Sequence, residues 1–429
     1  MSLHRRLVTA AVCAAAVLLG PSTPGAAAPH TGAVAAAPAD LLGTSGSVTL
    51  DDWGGLHPSA GLTLDTRGAP YWPGWDIARS LSLLPDGSSG GWVLDGWGGI
   101  HNFGAAPPLA GPYWPHWDIA RDLVVLPDNS GGYVLDGWGG IHAFGDAPVL
   151  AGGPYWPGWD VARGLAVHYS LLGVPDGGWI LDGWGGIHVF GAAPALGSPH
   201  YVAGVDVWRH IHTVPGGAYL TGRWGIVDTI GSPAGIGFDG MPDWGSWDIV
   251  RDVVPVDPGL GGGAQPFRPG AAAALMAALT SRDRIARGRA PVAEDGALDA
   301  VAGGSGGYNL AGCGGPAESL PSRALDLLDR DYFSHQIAGC SGGQMVFDTY
   351  MSALPWRAAG ENIAWASGTV SLVDSAVQIE DMWLNSPEHL ANIVDPDYTR
   401  VGCGAAFTLT GTYQGAAGPV YVWVCDFAG

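Results

Sequence analysis

The sequence predicts two folded units in one chain. An all-β repeat domain, like a five-bladed β-propeller, covers residues 47–257, and a mixed α/β domain covers residues 271–429. Three observations predict this. A motif repeats every 42 residues through the first unit. The two ends of that repeat are complementary in phase. The second unit changes to helical periodicity and holds every cysteine that lies beyond residue 27.

Tyr-Trp-Pro recurs at Tyr71, Tyr113 and Tyr155, and Asp-Gly-Trp-Gly-Gly-Ile-His at Asp95, Asp136 and Asp182. Degenerate copies of the second motif begin at Asp51 and Thr221. A Trp-Asp-Ile-Ala-Arg element recurs at Trp75, Trp117 and Trp159, with looser copies near Asp206 and at Trp247. This period is that of one four-stranded propeller blade. Within a unit, residues 132–136 form an apolar strand, 137–140 a turn and 141–145 the returning strand. Residues 121–128 form a further strand, ended by Pro127-Asp128. The chain enters the repeat at a hairpin, Val48 to His57, and leaves it after the strand from Trp247 to Val256. One blade built from both ends would close a ring of five and hide its edges. An open array is the alternative reading.

Trp97, Trp138 and Trp184 read as fillers of core and turn positions. The loops from Tyr71 to Trp75 and from Tyr155 to Trp159 are the candidates for an exposed, glycan-stacking surface. His101, His142 and His188 recur once per unit, on separate strands, and read as structural.

Residues 1–27 read as a secretory leader: a basic start at Arg5 and Arg6, an apolar run from Leu7 to Leu19, and small residues before Ala28. That run is too short to span a bilayer, and no later stretch reads as a membrane anchor. Residues 28–46 and 258–270 are linkers by composition. All eighteen basic residues are Arg and the net charge is −21, which argues against nucleic acid as a partner. The chain is expected outside the cell, where cysteines pair.

In the second unit, helices are expected over 271–287, 322–331 and 372–384. Ser386-Pro387-Glu388 starts a short helix with Ser386 as its cap, which puts His389 in the first turn. Val401 to Phe407 and Val420 to Phe427 are β runs. If they pair about residue 414, Cys403 faces Cys425, which leaves Cys313 for Cys340 among three possible connectivities.

Five marks in this unit occur in order: Asp331-Tyr332-Phe333-Ser334-His335, Gly360-Glu361-Asn362, Trp383, Ser386-Pro387-Glu388-His389 and Val401-Gly402-Cys403-Gly404. Together they resemble the CAP superfamily (cysteine-rich secretory, antigen 5 and pathogenesis-related proteins) in its bacterial, SCP-like form. The resemblance implies an α-β-α sandwich. It also implies a helix ending at His335, a turn at Glu361, and a cleft formed by His335, Glu361 and His389. Ser386 stands where animal and plant members carry a second glutamate, and Glu380 is a candidate replacement.

Two histidines and a glutamate suit Zn²⁺ with one open position, and equally suit a polar cleft without metal. Three functions follow as expectations. The first is a secreted, non-enzymatic module binding a lipid, a small ligand or a divalent metal. The second is a metal-dependent hydrolase or peptidase with Glu361 or a metal-bound water as base. The third is an adhesion protein that binds a cell-envelope component or glycan through the repeats.

Overall fold

The computed structural model describes residues 6–9, 46–197, 200–233, 235–256, 267–304, 322–340 and 342–429. Most of the leader and linker readings lie outside these residues, as does Cys313. Among the described residues, no helix is long and apolar enough to cross a membrane.

The repeat region forms five separate three-stranded sheets. Four strands per unit were expected. The stretch that would supply the fourth is non-regular; between two of the sheets it carries Pro107, Pro108, Pro112 and Pro115, which have no N–H to give a ladder. The repeated acid explains why its motif recurs as a block. Asp136 Oδ1 accepts the N–H groups of Trp138 and Gly140, each at 2.8 Å, and its Oδ2 lies 2.8 Å from His142 Nε2. Asp51, Asp95 and Asp182 do the same with His57, His101 and His188. Each histidine is therefore committed within its own hairpin.

The Trp-Asp-Ile-Ala-Arg element links neighbouring sheets. Arg79 bonds Asp76 of its own unit and Asp118 of the next. Arg121 joins Asp118 to Asp160, and Arg163 joins Asp160 to Asp206. Arg209 joins Asp206 to Asp248, and Arg251 joins Asp248 back to Asp76. The residue after each arginine is Ser80, Asp122, Gly164, His210 or Asp252. Of these, Ser80, Asp122, His210 and Asp252 are buried, and His210 Nδ1 lies 3.1 Å from Asp122. As the phase of the repeat predicted, Val250–Val256 pairs antiparallel with Gly46–Asp51, which pairs with Leu56–Pro58.

The C-terminal region is built from α1 (Pro269–Ala286), α2 (Gly296–Ala302), α3 (Arg323–Asp329), β1 (Ala358–Ser367), α4 (Leu372–Leu384), α5 (Pro387–Val394), β2 (Arg400–Thr408) and β3 (Val420–Ala428). β3 lies between β1 and β2 and is antiparallel to both. Ala293–Glu294 adds an edge beside β2. Arg6–Thr9, inside the stretch read as a leader, pairs in parallel with Ala358–Glu361 on the other edge.

Alternate residues of the strands serve two cores. Ala364, Ala366, Trp423 and Cys425 pack with Ala274, Val373 and Ile379 of α1 and α4. Ile363, Trp365, Val422 and Val424 pack with Ala302, Ala324 and Leu327 of α2 and α3. This period of two is what a sheet covered on both faces requires. Cys403 lies opposite Cys425 in register and is bonded to it. Cys340 is half-buried, and its expected partner Cys313 lies outside the described residues. The Val-Gly-Cys-Gly sequence is explained by closeness: a Cβ on Gly402 would lie 2.2 Å from the backbone of Leu298 in α2.

α1 seats the C-terminal region on the fourth repeat unit. There, Tyr201-Val202-Ala203-Gly204-Val205 stands where the first and third units read Tyr-Trp-Pro-Gly-Trp. Val202, Val205 and Trp224 join one apolar cluster with Ala271, Ala274 and Leu275. The degenerate fourth unit thus meets the second domain, and the segment that follows it, Phe238 to Gly245, meets it as well. Polar contacts border it. His200 Nδ1 lies 2.9 Å from Asp374 Oδ1, and Ser371, the N-cap of α4, bonds Asp228. Burial works against charging His200, but the bond to Asp374 and the charge of Asp228 prevail and raise it to about 9.

Candidate functional site

Glu361 lies inside β1, His335 in the loop after α3, and His389 in the first turn of α5; all three are buried. Glu361 bridges two partners. Its Oε2 is 2.6 Å from His335 Nδ1, and its Oε1 accepts from Arg323 Nε at 2.8 Å. Arg323 also donates to the Tyr332 hydroxyl and to the Ser334 carbonyl, both at 2.5 Å. The guanidinium therefore ties α3 to the loop that delivers His335. Tyr332 in turn bonds Asp326, which also holds Arg330.

His389 Nδ1 lies 2.8 Å from Ser386 Oγ, and its ring stacks on Trp383. Buried amides fix α5 against β1. Asn362 donates to the His389 carbonyl at 3.2 Å, and Asn392 donates to Asn362 Oδ1 at 2.9 Å and to the Glu361 carbonyl at 3.2 Å.

Burial alone would raise the Glu361 carboxyl, but Arg323 and His335 outweigh it and hold the group below the usual carboxylate range. Asp426, directly opposite Glu361 on β3, goes the other way. Burial first, and then the charge of Glu361, push it well above its ordinary value, and neither of its oxygens is hydrogen-bonded among the described residues. Burial, followed by His335, lowers His389 to about 4, so its ring is neutral near pH 7. The Nε2 atoms of His335 and His389 are both buried without a hydrogen-bond partner among the described residues.

Residues 343–427 match the CAP family, described as the cysteine-rich secretory protein family. The chain is 33% identical over 89 residues to the uncharacterized protein YkwD of Bacillus subtilis (strain 168). The alignment covers 20% of this chain and 31% of YkwD, so the chain spans about a third of that relative. A crystal structure of a cysteine-rich secretory protein from Staphylococcus aureus subsp. aureus Mu50 aligns at 11% identity over 62% of this chain and 83% of that one. The TM-score of that alignment is 0.23.

Glu361, Ser386 and His389 lie within the CAP match, while Arg323 and His335 precede it. Several expected placements change. Gly360-Glu361-Asn362 is not a turn but the interior of β1. Gly360 serves closeness there, since a Cβ would lie 2.6 Å from the Tyr398 hydroxyl. α3 stops at Asp329, so His335 is carried by a loop rather than a helix end. Ser386 occupies the cap position of α5 without a side-chain capping bond, its hydroxyl being turned to His389. Glu380 does not join the cluster. It is buried facing Asp283 and Arg282 of α1, and burial, then Asp283, raise it to about 8.

Arg323 and Asp426 are members that the sequence reading missed. Asp426 had a signal, as the single acid in the apolar run from Val420 to Phe427. Arg323 had none beyond its place after a capping serine.

Among the described residues, no group of three or more His, Cys, Asp and Glu is arranged to hold a metal ion. Both Glu361 oxygens are engaged, which places it to orient His335 rather than to coordinate. The two remaining imidazole nitrogens fall short of the three protein ligands of a catalytic zinc site. Among the described residues, the Ser386–His389 pair also has no carboxylate on the far nitrogen of its imidazole, the group that orients the base of an activated serine.

Proposed function

We propose that the chain is a secreted, extracellular binding protein whose CAP cleft takes a small ligand at His335 and His389. The two buried Nε2 atoms, without partners among the described residues, carry this reading. Unpaired polar atoms inside a protein are costly, and a ligand with hydroxyl or ammonium groups would satisfy both. A neutral His389 supplies an acceptor or a donor without a charge. Glu361 and Arg323 act as positioning residues for His335. The repeats form a five-bladed, propeller-like ring that presents the cleft; the return pairing of Val250–Val256 with Gly46–Asp51 and the cycle of Arg–Asp contacts support it. Export would remove Arg6–Thr9 and uncover the Ala358–Glu361 edge.

The test is purification of wild type and His335→Ala/His389→Ala from native medium, followed by extraction and mass spectrometry. A small molecule held by the wild type and missing from the double variant is the expected result. An identical complement of small molecules in both proteins would remove the reading.

A second reading, attachment to wall polysaccharide through the repeats, is favoured by one observation. Tyr71, Trp75, Tyr113, Trp117, Tyr155 and Trp159 are about half exposed, at equivalent places in three units. Exposed aromatic faces on this scale usually mark a binding surface. Sedimentation with insoluble cell-wall glycan should be lost in Trp75→Ala/Trp117→Ala/Trp159→Ala. Unchanged sedimentation of that variant would reject the reading.

A further inference from the structure

A second cavity lies where the two domains meet, away from the histidine cluster. Its volume is about 410 Å³, within the range of small-molecule sites. Ile226 and Phe238 of the repeats form one wall, and Phe267, Leu372 and Phe407 the other. Phe267, Phe407 and Tyr421 contact one another as an aromatic cluster, with Phe407 and Tyr421 centroids 4.4 Å apart. Val370 and Leu409, also lining residues, are 63% and 48% exposed, so the apolar lining continues out to the solvent.

Arg268 is the one charged residue among the described lining residues. It is 95% buried (5% exposed), it donates from Nη1 to the Pro242 carbonyl at 2.6 Å, and its Nε has no hydrogen-bond partner among the described residues. Among the described residues it forms no close ion pair; the charge of Asp243 acts on it without a hydrogen bond, and burial still outweighs that charge. A guanidinium taken out of water without a hydrogen-bonded carboxylate is costly, and a bound anion would offset that cost with a charge-assisted bond. Apolar walls, an apolar mouth and a single buried cation together select an amphiphile with one anionic head.

We infer that this interdomain cavity binds an alkyl carboxylate, with its chain among the aromatic walls and its head at Arg268. The site is independent of the cleft at His335 and His389.

The test is calorimetric titration of the full chain with laurate and with 1-dodecanol, both below their aggregation limits. Laurate should bind at one equivalent. Arg268→Gln should weaken laurate by about ten- to a hundredfold, the loss of one charged hydrogen bond, and leave dodecanol nearly unchanged. Leu409→Trp, at an exposed rim position that the fold does not need, should block both probes. His335→Ala/His389→Ala should affect neither. The inference is overturned if laurate does not bind, if Arg268→Gln binds it as wild type does, or if Leu409→Trp leaves its affinity intact.

Discussion

Glu361→Gln is expected to destabilise the C-terminal domain by about 3–5 kcal/mol, the usual cost of removing one partner of a buried ion pair. The amide keeps the shape of the side chain but leaves Arg323 inside the protein with Asp326, at 3.7 Å, as its remaining carboxylate. Both Arg323 and Glu361 are at most 1% exposed, so water cannot take over. The sequence alone suggests the opposite, that this substitution spares the fold and weakens only the site. Urea denaturation decides between them. Arg323→Met in the same chain should restore much of the loss, because removing both charges leaves none unpaired. An unchanged denaturation midpoint for Glu361→Gln would show that the pair does not hold this domain.

Deleting Trp247 to Val256 is expected to abolish cooperative unfolding of the repeats. The deletion takes away the strand that pairs with Gly46–Asp51, every residue of which is buried. It exposes the contacts of Val250, Val253 and Val256, each at most 3% accessible and each worth about 1.5–3 kcal/mol of burial. It also removes Arg251, which returns the chain of ion pairs to Asp76. The sum is comparable with the whole stability of a domain. Scanning calorimetry of the internal deletion and of Val253→Asp should both show the repeat transition lowered or absent. A repeat transition at the wild-type temperature in both proteins would rule out the closed arrangement.

The parts of the fold written in local periodicity were legible. α4 occupies the predicted residues 372–384, and Cys403 meets Cys425 as the hairpin register required. The joining of the two repeat ends was legible because phase is a property of order alone. The strand count per sheet was not, because the 42-residue period matches a four-stranded blade while prolines silence the fourth segment. At the site, the motif residues His335, Glu361 and His389 were visible as types, but their environment was not. Whether Glu361 faces a metal or an arginine depends on which helix packs over β1, and Arg323 lies 38 residues away in sequence. Glu380 misled for a similar reason. It lies one turn before Trp383 on the same side of α4, but that side packs against Asp283 and Arg282 of α1.

The sheet shared by Gly46–Asp51 and Val250–Val256 also sets an order of events during synthesis. Its first strand emerges from the ribosome some two hundred residues before its partner. At ordinary elongation rates the wait is about 10–40 s. Leu56–Pro58 can pair with one side of the early strand at once, but the other side stays open while the next four units are made. Such an unpaired edge invites pairing with other chains. Contacts this distant in sequence also form slowly. The last residues of the repeat therefore act as a latch whose closing ends the chain's exposure to aggregation, and any truncation before Val250 leaves that exposure permanent.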